Sequence, residues 1–466
     1  MKRITGILFF FSSIFMSCNN QSEKESNPVQ LVTLDPGHFH AALIQKTMYN
    51  DVDSTVHVYA QKGNDLQLHL DRIKAFNTRA NDPTHWKEEV YTGDDFFEKM
   101  LAEKKGNVVV LAGNNQKKTE YILRSLDAGF NVLADKPMAI NPEGFGTLKK
   151  AFETAKEKKL LLYDIMTERF EITTMLQREL SMMPEIFGKL EKGSSANPAV
   201  VIESVHFFYK YVSGNVLTRP AWFLDISQQG EGIVDVMTHL VDLVQWESFP
   251  EQAIDFTKDI QVDSSKHWPT SINLTEFKTL TRLDSFPSYF NKTDKADTSL
   301  QVYCNGEINY RIRGVYARTT VIWNYEAPEG TGDTQYSLMR GTKTNLIIHQ
   351  GADEQYKPTL YIEPVEPGKN YDFTEQIKTI QAKYPGVELK KTGKGWVVIV
   401  PEKYKEGHEA HFARVTQNFL DYLKNKNMPA WEVPCMLAKY FVTTKALEMA
   451  AASSSISFSP GEGAVR

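Results

Sequence analysis

The chain has 466 residues, and 53 Lys and Arg residues against 58 Asp and Glu residues give it a net charge of −5. This length predicts two or three domains, and the acidic balance argues against a broad nucleic-acid surface, which needs excess basic charge. The contents of 41% hydrophobic and 11% aromatic residues exclude bulk disorder, and only three cysteines exclude a disulfide scaffold. No apolar run reaches the roughly 20 residues of a membrane-spanning helix.

The N-terminus has the pattern of an exported lipoprotein. Lys2 and Arg3 precede an apolar run over residues 4–16, which is typical of a secretory signal. The run ends in Ser17 and Cys18, and a small residue directly before a cysteine resembles the bacterial lipoprotein cleavage site. We therefore expect a signal peptide over 1–17, a lipidated Cys18 and a flexible tether over 18–28. The mature protein would be periplasmic or on the cell surface, and it would reach the membrane only through its lipid. An ordinary signal peptide with an incidental cysteine is the alternative.

Residues 29–165 alternate between two kinds of pattern. Short apolar runs predict strands at 29–34, 55–60, 107–112, 130–134 and 160–163. Amphipathic segments predict helices at 40–49, 94–105, 117–128 and 142–158. Only 65–92 is polar and irregular, with Trp86 as its expected anchor. This alternation predicts a parallel, doubly wound, Rossmann-like domain over 29–165.

The pattern changes after residue 165. A predicted helix at 172–180 is followed by alternating runs that indicate strands at 200–211, 272–280, 301–313, 319–326, 344–349 and 359–363. Two helices are predicted at 407–424 and 433–451, before a tail at 456–466. We expect a second, α+β domain over 166–455, built on a mostly antiparallel open sheet. The fold class is therefore α/β followed by α+β.

The turn after the first predicted strand is a candidate nucleotide site. In a βαβ unit this turn leads into a helix N-terminus, which attracts the diphosphate of a dinucleotide. Of the three glycines of a G-x-G-x-x-G motif, expected at 35, 37 and 40, only Gly37 is present. No acidic residue closes the second predicted strand. The turn is therefore a degraded dinucleotide motif or a plain structural turn.

Lys136 directly follows the predicted strand at 130–134. At that position we expect it to point into the ligand crevice of the sheet, where burial would lower its pKa towards neutrality and suit it to proton transfer. The alternative, a lysine in a surface loop, fits poorly because Lys136 lies between two apolar segments.

A predicted, largely buried helix over 230–246 carries one polar stripe. Asp235, Thr238, His239 and Asp242 share one face of this helix. A carboxylate one turn from His239 would set the tautomer of the imidazole and raise its basicity. The alternative is a polar seam that only serves helix packing.

Together these segments resemble the family of glucose–fructose oxidoreductase, inositol dehydrogenase and rhizopine-catabolism proteins (Gfo/Idh/MocA), over most of the chain after residue 29. The resemblance rests on 108–137, which ends Asp-Lys-Pro where the family usually has Glu-Lys-Pro, on Arg169-Phe170, on 219–232, on Asp235-x-x-x-His239 and on the closing helices. It implies an NAD(P)-dependent oxidoreductase that transfers hydride between nicotinamide and a carbohydrate or polyol hydroxyl. Outside the cytoplasm such an enzyme would need to hold its cofactor tightly.

The resemblance also implies residue roles. His239 would be the acid–base residue, Asp235 would orient it, and Lys136 would contact both cofactor and substrate. The implied cofactor-binding residues are Gly37, His38, Phe39, His40, Asn115 and Lys136. The implied sugar-pocket residues are Arg169, His206, Arg219 and Trp222. No metal is implied, and a dimer or tetramer of identical chains is expected.

Two other functions stay open at this point. One is a metal-dependent hydrolase that uses the His38-x-His40 turn, with Lys136, His206 and His239 as further site residues. The other is a non-catalytic, sugar-binding lipoprotein that keeps the fold without the cofactor. Whether Cys304 and Cys435 pair is also open.

Overall fold

The structure is a computed structural model that describes residues 28–212, 215–290, 299–369 and 371–456. The first half of the chain contains β1 (Leu31–Leu34), α1 (His40–Leu43), β2 (Thr55–Ala60), α2 (Asn64–Thr78), β3 (Lys87–Thr92), α3 (Phe96–Glu103), β4 (Val108–Leu111), α4 (Lys118–Asp127), β5 (Asn131–Asp135), α5 (Pro142–Lys158) and β6 (Leu162–Ile165).

The second half contains α6 (Ile172–Ser181), β7 (Val200–Tyr209), β8 (Tyr211–Val212), β9 (Asn215–Val216), α7 (Ile226–Gln229), α8 (Met237–Ser248), β10 (Ile260–Asn273), α9 (Leu274–Thr281), β11 (Ser299–Ile312), β12 (Val315–Glu326), β13 (Thr334–Arg340), β14 (Thr344–Gln350), β15 (Thr359–Pro364), α10 (Thr374–Lys383), β16 (Glu388–Lys391), β17 (Trp396–Ile399), α11 (His408–Asn425) and α12 (Glu432–Ile456).

The first sheet is parallel throughout, in the order β3-β2-β1-β4-β5-β6. All four residues of β4 are buried, because helices cover both faces of the sheet, and this explains a strand that is apolar without alternation. The strand order reverses between β1 and β4, so a crevice lies at the carboxyl ends of these strands. The predicted doubly wound domain is confirmed.

The prediction of an irregular segment at 65–92 was wrong, since this segment holds α2 and β3. Only three side chains of α2 are buried, so its apolar stripe is too thin to stand out in the sequence. The strand β3 lies at the sheet edge, where four of its six residues are exposed and three are charged, as is common for edge strands. Trp86 is the anchor that we expected: it is buried and donates a hydrogen bond from Nε1 to the Gln45 carbonyl oxygen at 2.7 Å.

The second sheet has nine strands in the order β10-β11-β12-β7-β13-β14-β15-β17-β16. All of its pairs are antiparallel except β7 with β12, so the predicted open antiparallel sheet is confirmed. The predicted strand at 272–280 was wrong. Asn273 ends β10 and forms a capping box with Glu276, and this box starts α9.

The two C-terminal helices join the domains. Phe412 and Phe419 of α11 pack into the core of the first domain. The long helix α12 contributes Tyr440 to that core and Ala438 and Val442 to the core of the second domain. A helix wedged between two cores is apolar on more than one side, as the sequence of α12 is.

Several predictions concern residues that the structure does not describe. Cys18, the predicted signal peptide and the tail after Ile456 lie outside the described residues. Across the described ranges, no helix combines the length and apolar character that crossing a membrane requires. Cys304 and Cys435 are both buried and have free thiols.

Candidate active site

A cavity of about 680 Å³ lies between the carboxyl ends of the first sheet and the second domain. The first domain contributes His38, Phe39, His40, Gly113, Asn115, Asp135 and Lys136 to its wall. The second domain contributes Ser204, His206, Arg219, Asp235, His239 and Trp323. The cavity lies at the switch point of the strand order, where open α/β sheets bind their ligands. Most of the predicted site residues therefore meet in one place.

Lys136 and Asp235 form a buried ion pair across this cavity. Lys136 follows β5, and its Nζ donates to Asp235 Oδ1 at 2.6 Å. The other carboxylate oxygen of Asp235 accepts from Gln229 Nε2 at 3.0 Å. Because α8 begins only at Met237, Asp235 lies before the helix and turns its carboxylate towards Lys136. The expected hydrogen bond between Asp235 and His239 is thus replaced by the pair with Lys136.

The charges of this pair decide two pKa values. Burial acts to lower the pKa of Lys136, but the carboxylates of Asp235 and Asp135 outweigh it and the net shift is upward. The expected fall towards neutrality was therefore wrong. Burial, reinforced by the Lys136 cation, holds the pKa of His239 well below its usual value. At neutral pH the site combines a cationic lysine with a neutral imidazole.

Asn115 presents an unsatisfied acceptor at the cavity. Its Nδ2 donates to the Gln229 carbonyl oxygen at 2.8 Å, and its backbone N–H donates to the Gln228 carbonyl oxygen at 2.9 Å. Its Oδ1 is buried and has no hydrogen-bond partner among the described residues. A buried acceptor without a donor is costly, so this atom suits a ligand with N–H or O–H groups. Asn115 Oδ1 is therefore a candidate contact for a ligand that carries such groups.

The turn after β1 packs against the turn after β4 through glycines. A Cβ atom on Gly113 would lie 2.2 Å from the Asp35 carbonyl oxygen, so only glycine allows this approach. Asp35 occupies the position of the first motif glycine and has a φ of 50°, a left-handed conformation that aspartate tolerates. Gly37 lies under Trp222, whose Cζ2 atom would be 3.0 Å from a Cβ at Gly37. Gly113 was not predicted as a site residue because it belongs to no local glycine motif.

His38, His40 and Asp135 cluster at the edge of this turn. His40 Nδ1 lies 2.9 Å from Asp135 Oδ2, and His38 Nδ1 lies 3.8 Å from the same oxygen. These three side chains could hold a metal ion, since their ligand atoms lie within 4.8 Å of one another. The hydrolase alternative, however, requires eight βα units closed into a barrel, and the described first domain is an open six-stranded sheet.

The opposite wall of the cavity is built on β7. His206 forms a hydrogen bond through Nε2 with Ser204 Oγ, and its Nδ1 lies 3.3 Å from Asp333 Oδ2. Lys210 Nζ donates to the same Asp333 oxygen at 2.9 Å. The indole of Trp323 stacks on the His206 ring with 4.9 Å between ring centroids. This wall combines an aromatic face with several hydrogen-bonding groups.

Two of the four predicted sugar-pocket residues lie elsewhere. Arg169 donates from Nε and Nη2 to Asp242 at 2.6 and 2.7 Å and from Nη1 to Glu432 at 3.1 Å, inside a buried ionic network. Trp222 donates from Nε1 to Asp65 Oδ2 at 2.7 Å and covers the glycine turn. His206 and Arg219 do line the cavity. Ser204, Asp333 and Trp323 also line the cavity, and no local motif marks them in the sequence.

Two family models match the chain. Residues 176–451 match "Putative oxidoreductase C terminal domain", and residues 37–163 match "Oxidoreductase family, NAD-binding Rossmann fold". The crystal structure of a "putative oxidoreductase" from Parabacteroides merdae ATCC 43184 is similar to this chain at 56% identity. The match covers 92% of this chain and 98% of that chain, with a TM-score of 0.89.

More distant structures share the fold. Levoglucosan dehydrogenase in complex with NADH and levoglucosan is 10% identical, with 91% of this chain and 98% of that chain covered and a TM-score of 0.57. GenD2 from gentamicin A biosynthesis in complex with NAD is 15% identical, with 96% and 98% covered and a TM-score of 0.53. At these identities the likeness concerns the fold alone. Among curated proteins, none matches this chain.

Proposed function

Because this chain belongs to the Gfo/Idh/MocA family of oxidoreductases and its first domain is an NAD-binding Rossmann domain, we propose that it transfers hydride between NAD or NADP and a hydroxyl-bearing carbon of a carbohydrate or polyol. The observation that carries this proposal is the convergence of Lys136, Asp235 and His239. These side chains come from two domains and line one cavity at the switch point of the sheet.

In the oxidation direction, the substrate loses a hydroxyl proton as its C–H bond breaks and a carbonyl forms. The nicotinamide ring, when bound, supplies the hydride acceptor. The neutral imidazole of His239 accepts the proton, because its lowered pKa leaves a nitrogen lone pair free at neutral pH. The ammonium group of Lys136 donates a hydrogen bond to the same substrate oxygen and stabilises its developing negative charge. Asp235 positions this ammonium group and keeps it protonated. In the reduction direction the proton returns along the same path.

The second wall supports a polyhydroxylated substrate. Trp323 is mostly buried but borders the cavity and stacks on the His206 ring, and aromatic side chains of this kind pack against the C–H groups of sugars. His206 and Ser204 offer groups that both donate and accept hydrogen bonds, with Asp333 setting the orientation of the imidazole. We assign His206, Ser204 and Trp323 to the substrate side of the site. Arg169 and Trp222, which were expected there, lie elsewhere.

The protein should retain a dinucleotide through purification, if the enzyme works outside the cytoplasm with a captured cofactor. We expect the nucleotide to be released by acid and to be identified by chromatography as NAD or NADP. Its redox state should then change when the holoprotein is mixed with a panel of sugars and polyols. Metal analysis of the same sample serves as the control for the hydrolase alternative.

Protein without nucleotide that also fails to bind added NAD and NADP would contradict the proposed function. Intact sugar binding in that sample would favour the non-catalytic sugar-binding protein instead. A stoichiometric metal without any nucleotide would favour the hydrolase.

We further propose that Cys18 anchors the protein to a membrane by a lipid, on the exported side. The supporting observation is the basic, apolar and Ser17-Cys18 order at the N-terminus. Replacing Cys18 with alanine in the full chain should move the protein from the membrane fraction to the soluble or uncleaved precursor fraction. A Cys304→Ala variant is the matched control and should fractionate like the parent. Parent and Cys18→Ala proteins with the same distribution would refute the anchor.

A further inference from the structure

A second, smaller pocket adjoins the main cavity above the glycine turn. Its lining includes Gly37, His38 and Phe39 on the first domain, together with Arg72 of α2. The second domain contributes Arg219 to the same lining. Two arginines therefore line a pocket at the turn where a Rossmann domain holds the diphosphate of its dinucleotide.

Arg219 is a buried cation without a carboxylate partner. It is 5% exposed, and its Nε and Nη2 donate to the carbonyl oxygens of Phe208 and Phe207 at 3.0 and 3.4 Å. No carboxylate lies within ion-pair distance of it in the described part of the chain. Its guanidinium carbon lies 4.5 Å from the centroid of the Phe223 ring. Burial lowers the pKa of Arg219 to about 10, so it remains charged at neutral pH. An unpaired buried charge is costly, which indicates an anionic ligand.

Arg72 reaches the small pocket from the other domain. It is half-buried, and its Nη1 donates to the Leu68 carbonyl oxygen at 3.2 Å. Within the described ranges no carboxylate pairs with it at ion-pair distance. Asp65, two turns earlier on the same face of α2, accepts the indole N–H of Trp222. Arg72 is thus the second cation near the glycine turn without a carboxylate at ion-pair distance, although Asp65 and Asp71 act on it from farther away.

The glycine turn itself has little to offer an anion. The motif has lost two of its three glycines, and the backbone N–H of His38 already donates to the Ala112 carbonyl oxygen at 3.1 Å. The carboxyl groups of Asp35 and Asp65 are close enough to affect each other, and burial together with Asp65 raises the pKa of Asp35 to about 6. A bound diphosphate would therefore need positive charge from elsewhere.

We propose that Arg219 and Arg72 bind the diphosphate of the dinucleotide and replace the donors that the degraded glycine motif lacks. A guanidinium fork matches two phosphate oxygens and provides charge-assisted hydrogen bonds. The linings of the small pocket, of about 20 Å³, and of the main cavity share His38, Phe39 and Arg219, so Arg219 borders both spaces and can contact a diphosphate that lies in the main cavity. This inference rests on the proposed function.

The test measures binding of NADH, ADP-ribose and adenosine by calorimetry, with protein freed of copurified nucleotide. ADP-ribose carries the diphosphate without nicotinamide, and adenosine lacks both. We expect Arg219→Gln and Arg72→Gln each to raise the Kd for NADH and ADP-ribose by about tenfold or more, as lost hydrogen bonds to charged groups do. Adenosine binding should not change. Arg79→Gln, directly after α2 and paired with exposed Asp82, is the control and should bind as the parent does.

Thermal unfolding of each variant shows whether it folds. Since Arg219 is buried, the half-buried Arg72 keeps the test valid if Arg219→Gln unfolds. Unchanged ADP-ribose affinity in both variants would overturn this inference alone. Loss of binding confined to a sugar acid such as glucuronate would also overturn it, because Arg219 would then serve a substrate carboxylate. A parent protein that binds neither NADH nor ADP-ribose would overturn the proposed function, and this inference with it.

Discussion

Lys136→Met and His239→Ala should each slow sugar oxidation by about 100- to 10,000-fold, the contribution of a positioned acid–base group. His239 is the neutral base that accepts the proton, and Lys136 is the cation that stabilises the substrate oxygen. Single-turnover reduction of bound NAD measures the chemical step directly. The Kd for ADP-ribose should stay near that of the parent, since this ligand lacks the nicotinamide and does not depend on proton transfer.

Two surface variants serve as controls for these substitutions. His349→Gln removes an exposed imidazole of β14 that pairs with Glu354, and Lys445→Met removes an exposed cation of α12. Both should turn over substrate at the parent rate. Parent-like turnover in both active-site variants would contradict the assigned roles.

The pH dependence of the reaction should follow His239. Because the pKa of His239 is held well below its usual value of about 6.5, the acid limb of the pH–rate profile should also lie below that value.

Lys439→Met should lower the free energy of unfolding by about 3–5 kcal/mol, the cost of breaking a buried ion pair. Lys439 on α12 is fully buried, and its Nζ lies 2.8 Å from Asp164 Oδ2 of β6 and 2.7 Å from Asp242 Oδ1 of α8. Its removal leaves two buried carboxylates with one donor fewer at the junction of the domains. Urea denaturation followed by fluorescence measures the loss.

A second substitution separates lost charge pairing from lost packing. Adding Asp164→Asn to Lys439→Met should recover part of the stability, because a neutral amide does not need the missing cation. Lys445→Met on the same helix should change stability little, since its pair with Glu448 is exposed. Equal stability losses at Lys439 and Lys445 would show that the buried network does not tie the domains together.

The same network predicts how stability depends on pH. Burial alone would raise the pKa of Asp242, but Arg169 and Lys439 hold it well below its ordinary value. A carboxyl group with a lowered pKa in the folded state stabilises the protein above its unfolded pKa of about 3.9 and loses this contribution as the pH falls. The difference between the parent and Lys439→Met should therefore shrink as the pH drops below about 4.

Three features could be predicted from the residue pattern: the alternation of strands and helices, the strand end that carries Lys136, and the short separation of Asp235 and His239 along the chain. These features depend on local periodicity and on where a strand or helix ends. The helix at 142–158 and the strand at 55–60 have the bounds that their patterns predict. Elements with weak or charged patterns, such as α2 and β3, were missed because tertiary packing stabilises them.

Which side chains are partners depends on the folded chain and could not be predicted from the residue pattern. Asp235 pairs with Lys136, 99 residues away, rather than with His239, four residues along the chain, and His206 meets Asp333 across 127 residues. Arg169 was expected in the sugar pocket and is neutralised by two carboxylates in the domain junction. A charged side chain is placed by the nearest opposite charge in three dimensions, and sequence spacing does not contain that distance.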